Sequence, residues 1–347
     1  MTNEPSEQHI VQGKFVSEKI SKIRWQNEPF AETKTFLTGS WDNPINKITL
    51  WTLQTNEDEE SDPVVVTSDP CYGDVTEIKF INKDFFVVSS SDGTVKVLQI
   101  LENPYSKFKE HITWKNLHYY STGENACCTG FSTFEQDIVS VGEDGRINLL
   151  TAHQKEIVRS IDTAESCSIC CIDFLKHNEI LTGNIRGHMK IWDLRNYQDR
   201  PVPFMLSDQV TTEVTSVAHH PTQRHIVVAG GGDGSLTVWD LRRNTYPVSQ
   251  LNAHAKSVTE ILFHPDRPDN LFTSSTSGEL WHWNNASQSK SKFDNGDAHW
   301  LNSFGGKGKV TVCASVHKPI NSIDINKSTL LLGCDNEAIY TIKNVNL

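Results

Sequence analysis

The stretch Val227–Arg242, VVAGGGDGSLTVWDLR, constrains this chain more than any other. An apolar run turns through Gly232-Asp233-Gly234 and returns as Leu236–Asp240, with Trp239 beside Asp240 at its end. An Asp-Gly between two apolar runs signals a tight β-hairpin, because Gly supplies the positive φ that a primed turn needs. The hairpin recurs. Ile180–Arg195 turns at Gly187 and ends on the same tetrapeptide, Trp192-Asp193-Leu194-Arg195. Phe86–Gln99 turns at Asp92-Gly93, Ile138–Leu150 at Asp144-Gly145, and Leu271–Trp283 at Ser277-Gly278. Phe36–Trp51 is a first copy with extra turn residues around Pro44. Leu330–Ile342 is a last one, with Asn336-Glu337 where the others have Asp-Gly.

From Gly93 through Gly145, Gly187 and Gly234 to Gly278 the turn glycines step by 52, 42, 47 and 44 residues. That spacing is close to the ~40–45-residue, four-stranded blade of the WD-repeat propeller. A third strand precedes each hairpin, as in Val75–Phe80, Val214–His219 and Val258–Phe263, and a looser fourth follows it. The fold expected is all-β: one seven-bladed WD-repeat β-propeller. Trp51, Trp192, Trp239 and Trp283 are expected to wedge between blades as core. After Ile342 only five residues remain, so the last blade lacks a fourth strand in sequence. The segment Lys14–Glu18, with Phe15 and Val16, is expected to supply it, which removes exposed sheet edges. Residues 14–347 then form the propeller, and the polar stretch Met1–Gly13 is expected to be a disordered tail.

The net charge is −11 over 347 residues. Phosphate-binding proteins carry a basic footprint, so direct nucleic-acid binding is not expected. No apolar run resembles a signal peptide or spans a bilayer, which points to a cytosolic product with no membrane insertion. Its eight cysteines are then expected as free thiols. Cys167-Ser-Ile-Cys170 has zinc-ligand spacing without a second pair, and is read as core on a blade strand. No cofactor or metal is expected.

A catalytic set is not apparent: HExxH, GxSxG and nucleotide fingerprints are missing, and Asp92, Asp144 and Asp233 have structural work in the turns. Gly305–Lys309 does not match the phosphate-loop spacing. A His–carboxylate pair assembled from distant blades in the central channel would escape detection here, and it is the basis of an enzyme alternative. The rest points to a non-catalytic binding platform. The blade-six insertion, about residues 284–309, carries Trp300 and Phe304 as candidate docking residues, and Asn56–Ser61 is an acidic loop. In the fullest WD pattern a His, a Ser or Thr, the turn Asp and the Trp form a hydrogen-bonded chain. No blade here clearly shows all four, and His118–Gly123 reads as a polar linker.

Several blocks are more specific than the repeat. Lys14–Trp25 (KFVSEKISKIRW), Thr38–Asn43, Val141–Leu149, Leu280-Trp281-His282-Trp283 and Glu337–Tyr340 resemble the forty-three-kilodalton WD-repeat nucleoporins. The resemblance implies a structural subunit of the Y-shaped outer-ring complex of the nuclear pore, monomeric within a hetero-oligomer. It implies docking on other nucleoporins, among them an α-solenoid subunit of a short arm, and residence at the nuclear envelope. In animals it also implies a kinetochore role in mitosis and in chromosome segregation. An alternative rests on Trp192–Arg195 and Trp239–Arg242, where Arg195 and Arg242 would contact the adaptor of a cullin-RING ubiquitin ligase. Against it, an Arg after Trp-Asp commonly packs on its own blade.

Overall fold

A computed structural model describes residues 10–28, 33–55, 61–101, 106–195, 201–205, 212–243, 246–284 and 309–347. They form seven antiparallel four-stranded sheets. The chain opens with β1 (Ile10–Phe15). Blade one is β2 (Lys19–Trp25), β3 (Thr35–Trp41), β4 (Asn46–Thr55) and β5 (Ser61–Cys71). Blade two is β6 (Val75–Phe80), β7 (Phe85–Ser90), β8 (Val95–Leu101) and β9 (Lys107–Trp114). Blade three is β10 (Cys128–Phe134), β11 (Asp137–Gly142), β12 (Ile147–Thr151) and β13 (Gln154–Ile161). Blade four is β14 (Ile169–Lys176), β15 (Glu179–Asn184), β16 (His188–Asp193) and β17 (Val202–Met205). Blade five is β18 (Val214–His219), β19 (Ile226–Gly231), β20 (Ser235–Asp240) and β21 (Ser249–Asn252). Blade six is β22 (Val258–Phe263), β23 (Asn270–Ser275), β24 (Glu279–Asn284) and β25 (Lys309–Ser315). Blade seven takes β26 (Ile320–Asn326), β27 (Thr329–Cys334) and β28 (Ala338–Lys343), and β1 completes it.

Second strands such as β19, Ile-Val-Val-Ala-Gly-Gly, are apolar without alternation because both faces are covered. Period two still decides which neighbour each side chain meets. Ile226 and Val228 pack toward blade six, whereas Val227 and Ala229 pack toward blade four with Trp239. Outer strands such as β13 are largely exposed. Among the described residues, a separate apolar core fills each of the seven junctions between neighbouring blades. The junction that shuts the ring sets Leu331 and Ile339 of blade seven against Ile20, Ile23, Phe36 and Trp51 of blade one.

The closing strand is β1, antiparallel to β28 from Ile10 opposite Lys343 to Phe15 opposite Ala338. It begins ahead of Lys14, so Ile10–Gly13 belong to the propeller rather than to a tail; residues 1–9 lie outside the described ones. Val16 follows the strand, donates its N–H to Glu337 O at 2.8 Å and packs on the closing core. Phe15 is 64% exposed and adds backbone pairing, not core.

Candidate functional site

Antiparallel order sends every turn between second and third strands, and every connection between blades, to one face of the ring. The turns between third and fourth strands lie on the other. The turn-bearing face is built from hydrogen bonds that join successive blades. In blade three, His118 Nδ1 is 2.9 Å from Asp144 Oδ1, and its Nε2 is 2.9 Å from Ser140 Oγ. Burial alone would raise the Asp144 carboxyl, but the hydrogen bond and charge of His118 outweigh it and hold the pKa low. His118 is fully buried, so it is the histidine of the WD chain and not part of a polar linker. Leu150 stands where that chain would have its Trp.

Blade six has the complementary subset. His254 Nε2 is 2.8 Å from Thr273 Oγ1, which also accepts Trp283 Nε1–H at 3.0 Å, while Ser277 replaces the Asp. Burial pushes the His254 imidazole down to about 4. Trp51 and Trp192 donate likewise to Thr38 and Thr182, whereas Trp239 donates to Thr237 of its own strand. The turn carboxylates of Asp92 and Asp233 accept the N–H of Thr94 and Ser235, each at 3.0 Å; in blade four Arg186 stands at the Asp position, and Asn184 Oδ1 accepts the N–H groups of Arg186 and His188 instead. Gly278 needs to be Gly: its φ is +86°, and a Cβ there would sit 1.9 Å from Val316 O. In the last blade Glu337 holds the turn position at φ +60°.

The innermost strands line a channel with a cavity of about 390 Å³. Arg24 is its centre: Nη2 reaches Glu77 at 2.7 Å and Glu260 at 2.5 Å, and Nη1 donates to Ser322 Oγ at 2.9 Å. Lys22 adds a 3.2 Å contact to Glu77. Burial favours neutral carboxyls here, yet the charge of Arg24 holds both Glu77 and Glu260 low. Asp324 accepts N–H groups of Trp25 and Ile325, but burial dominates and lifts it to about 6.

The channel does hold a His–carboxylate pair, but from neighbouring blades four and five rather than distant ones: His219 Nδ1 is 2.6 Å from Asp173 Oδ2. Ser132 Oγ also donates to Asp173, at 3.4 Å, and accepts from Lys79 at 3.3 Å. Nucleophilic catalysis needs the base between nucleophile and orienting carboxylate. Here the carboxylate lies between, so the imidazole is not placed to take the Ser132 proton.

The two Trp-Asp-Leu-Arg endings lie on the opposite face. Arg195 grips Asp193 through Nε at 3.0 Å and Nη2 at 2.8 Å, and Arg242 grips Asp240 at 2.9 and 2.8 Å. Each guanidinium thus spends one donor edge on its own blade. Cys170 lies on β14 facing the channel, but Cys167 precedes the strand and is half-buried, so the pair is not blade core. Burial pushes the Cys170 thiol up to about 11. Among the described residues there is no group of three or more His, Cys, Asp or Glu suited to a metal, and no helix long and apolar enough to cross a membrane. Trp300, Phe304, most of the blade-six insertion and the acidic run at 56–60 lie outside the described residues.

The profile of the WD domain, G-beta repeat family matches residues 204–240, which contain most of blade five. The chain is 34% identical over 377 residues to nucleoporin Nup43 of Mus musculus, covering 96% of this chain and 99% of the mouse protein. Nucleoporin Nup43 of Homo sapiens matches at the same 34% and the same coverage. The nuclear pore complex protein nup43 of Dictyostelium discoideum is 24% identical, over 78% of this chain and 82% of its own length.

Proposed function

The chain belongs to the Nup43 family of nucleoporins, and from that membership we propose that it is a non-catalytic scaffold subunit of the Y-shaped outer-ring complex of the nuclear pore. It binds other nucleoporins, an α-solenoid subunit of a short arm among them, as one copy within a hetero-oligomer. Its place is the pore at the nuclear envelope, where it supports pore assembly and transport of protein and mRNA. In animals the same subunit serves the kinetochore and chromosome segregation. The observation that carries the reading is identity spread over 96% of the chain, rather than confined to one repeat. Rigidity supports it: seven packed junctions present surfaces that lose little freedom on binding. The reversed Ser132–Asp173–His219 order and the Cys170 thiol, raised by burial, speak for a platform over an enzyme. The Arg195 and Arg242 clamps speak for packing over a ligase-adaptor contact.

Affinity purification of the chain, tagged at its own locus, tests this. Outer-ring nucleoporins recovered in near-equal amounts are expected; recovery of ubiquitin-ligase subunits without pore proteins contradicts the proposal.

A further inference from the structure

We propose that the arc of the turn-bearing face over blades one to three docks a basic segment of a neighbouring pore subunit, one that presents an apolar side chain among its lysines or arginines. The inference rests on the function proposed above and names the surface that carries it.

The arc is one hydrogen-bonded belt. Asp42 N and Asn46 Nδ2 of the first turn donate to Asp74 Oδ1 at 2.8 and 3.0 Å. Ser91 N and Asp74 O then meet at 2.9 Å, and Leu117 N reaches Gly93 O at 3.0 Å. Tyr119 N closes the belt on Asp144 Oδ2, also at 3.0 Å. Large apolar side chains stand on this belt: Ile45 is 57% exposed, Tyr72 71%, Tyr119 40% and Tyr120 39%. Exposed aromatics grouped on a rigid frame mark binding surfaces rather than core.

Two of these rings are already held. Tyr120 Oη donates to Glu143 at 2.7 Å, and Arg146 stacks 3.9 Å from the Tyr119 ring centre while donating to its hydroxyl at 3.0 Å. Little side-chain freedom remains to be lost when a partner covers them.

The surroundings are acidic. Asp74 and Asp92 accept from neutral donors, and Glu124 and Glu143 from Thr122 and Tyr120 hydroxyls. Arg146 is committed to Asp144 and Asp162. Lys96 acts on the Cys71 thiol against Asp74 and Asp92, Lys19 and Lys47 are committed to Asp42 and Glu18, and Lys115 is exposed on the connection to blade three. Cys127 is pushed up to about 12 by burial, then by Glu143, Asp74 and Asp92; Tyr120 rises to about 12 through its bond to Glu143 and through burial. Such a surface favours cations and repels a second copy of itself, which selects a basic partner over self-association.

The test uses the native assembly purified through the tagged chain. Zero-length carbodiimide coupling, which joins carboxylates to lysines, is expected to link Glu124 or Glu143 to a lysine of another pore subunit. The Tyr72→Ala/Tyr120→Ala variant is expected to recover pore subunits at least tenfold less well at an unchanged melting temperature. Tyr246→Ala, on the opposite face, is expected to recover them normally. The Glu124→Lys/Glu143→Lys variant should weaken recovery further and remove its salt dependence. If the wild-type chain recovers pore subunits and these variants do too, the docking surface is wrong while the function stands. Coupling between two copies of this chain overturns it equally. If the wild-type chain recovers no pore subunit, the proposed function falls and this inference with it.

Discussion

Arg24 Nη2 stands 2.5 Å from Glu260 Oε1, joining the innermost strand of blade one to that of blade six across 236 residues of chain. The same guanidinium reaches Glu77 of blade two and Ser322 of blade seven, so one side chain ties four blades at the channel. A buried ion pair adds little net stability over an apolar substitute, but removing one partner strands the others. Arg24→Ala leaves Glu260 without its ion-pair partner and Glu77 with Lys22 alone, and is expected to cost about 3 kcal/mol. Thermal unfolding should show a fall of roughly 5–10 °C, and Arg24→Lys should fall between the two. A melting temperature unchanged in Arg24→Ala contradicts the role given to it.

His118 carries a second prediction. It satisfies Ser140 and Asp144 at once from a fully buried position. His118→Ala is expected to destabilise by about 2 kcal/mol, the cost of orphaning buried polar groups. A double-mutant cycle with Asp144→Asn should return a coupling of about 1 kcal/mol or more. Additive effects would show that the two residues do not act together.

The turns give a pair of opposite expectations. Gly278→Ala places a Cβ 1.9 Å from Val316 O and is expected to destabilise strongly. Glu337 sits at φ +60°, a region that costs a non-Gly residue roughly 1 kcal/mol, so Glu337→Gly is expected to raise the melting temperature slightly. Measured side by side, the two substitutions should shift unfolding in opposite directions.

Much of this architecture is legible in the sequence because its signals are local. A tight turn between two apolar runs fits within sixteen residues, with Asp-Gly at 92–93, 144–145 and 233–234 and variants of it in the other blades. His118 was harder to read: the connection from Trp114 to Ala126 carries its own small turn, which displaces the histidine from its usual offset. The channel network left no trace at all. Arg24 finds its partners 53, 236 and 298 residues away, and only closure of the ring brings them together. The true start of β1 was hidden for a different reason. Ile10–Gly13 pair through backbone while their side chains stay mostly in water, so the apolar pattern that marks other strands is weak there.

Acid sensitivity follows from buried histidines. Burial lowers His220 and His254 from 6.5 to about 4, His220 with help from the charges of His219 and His225. Between those values the unfolded chain binds more protons, so stability falls as pH falls through that window. Asp324 opposes this: raised from 3.8 to about 6, it keeps a proton in the fold that the unfolded chain gives up. It offsets one histidine, leaving a net loss of about 2 kcal/mol between pH 6.5 and 5, above the range where the low carboxyls of Glu77 and Glu260 add to the loss. Melting temperatures across that range should decline, and His254→Gln should largely flatten the decline. An equally steep profile in the variant contradicts the assignment.

Ring closure underlies both the rigidity and the surfaces argued from it, and hydrogen exchange in Ala338–Lys343 tests it most directly. With β1 in place, these amides are predicted to exchange as slowly as those of Ser235–Asp240, a third strand flanked on both sides within its blade. Removal of Ile10–Phe15 should leave one edge open and speed their exchange. Equal exchange with and without that strand would contradict a ring shut by its own first strand.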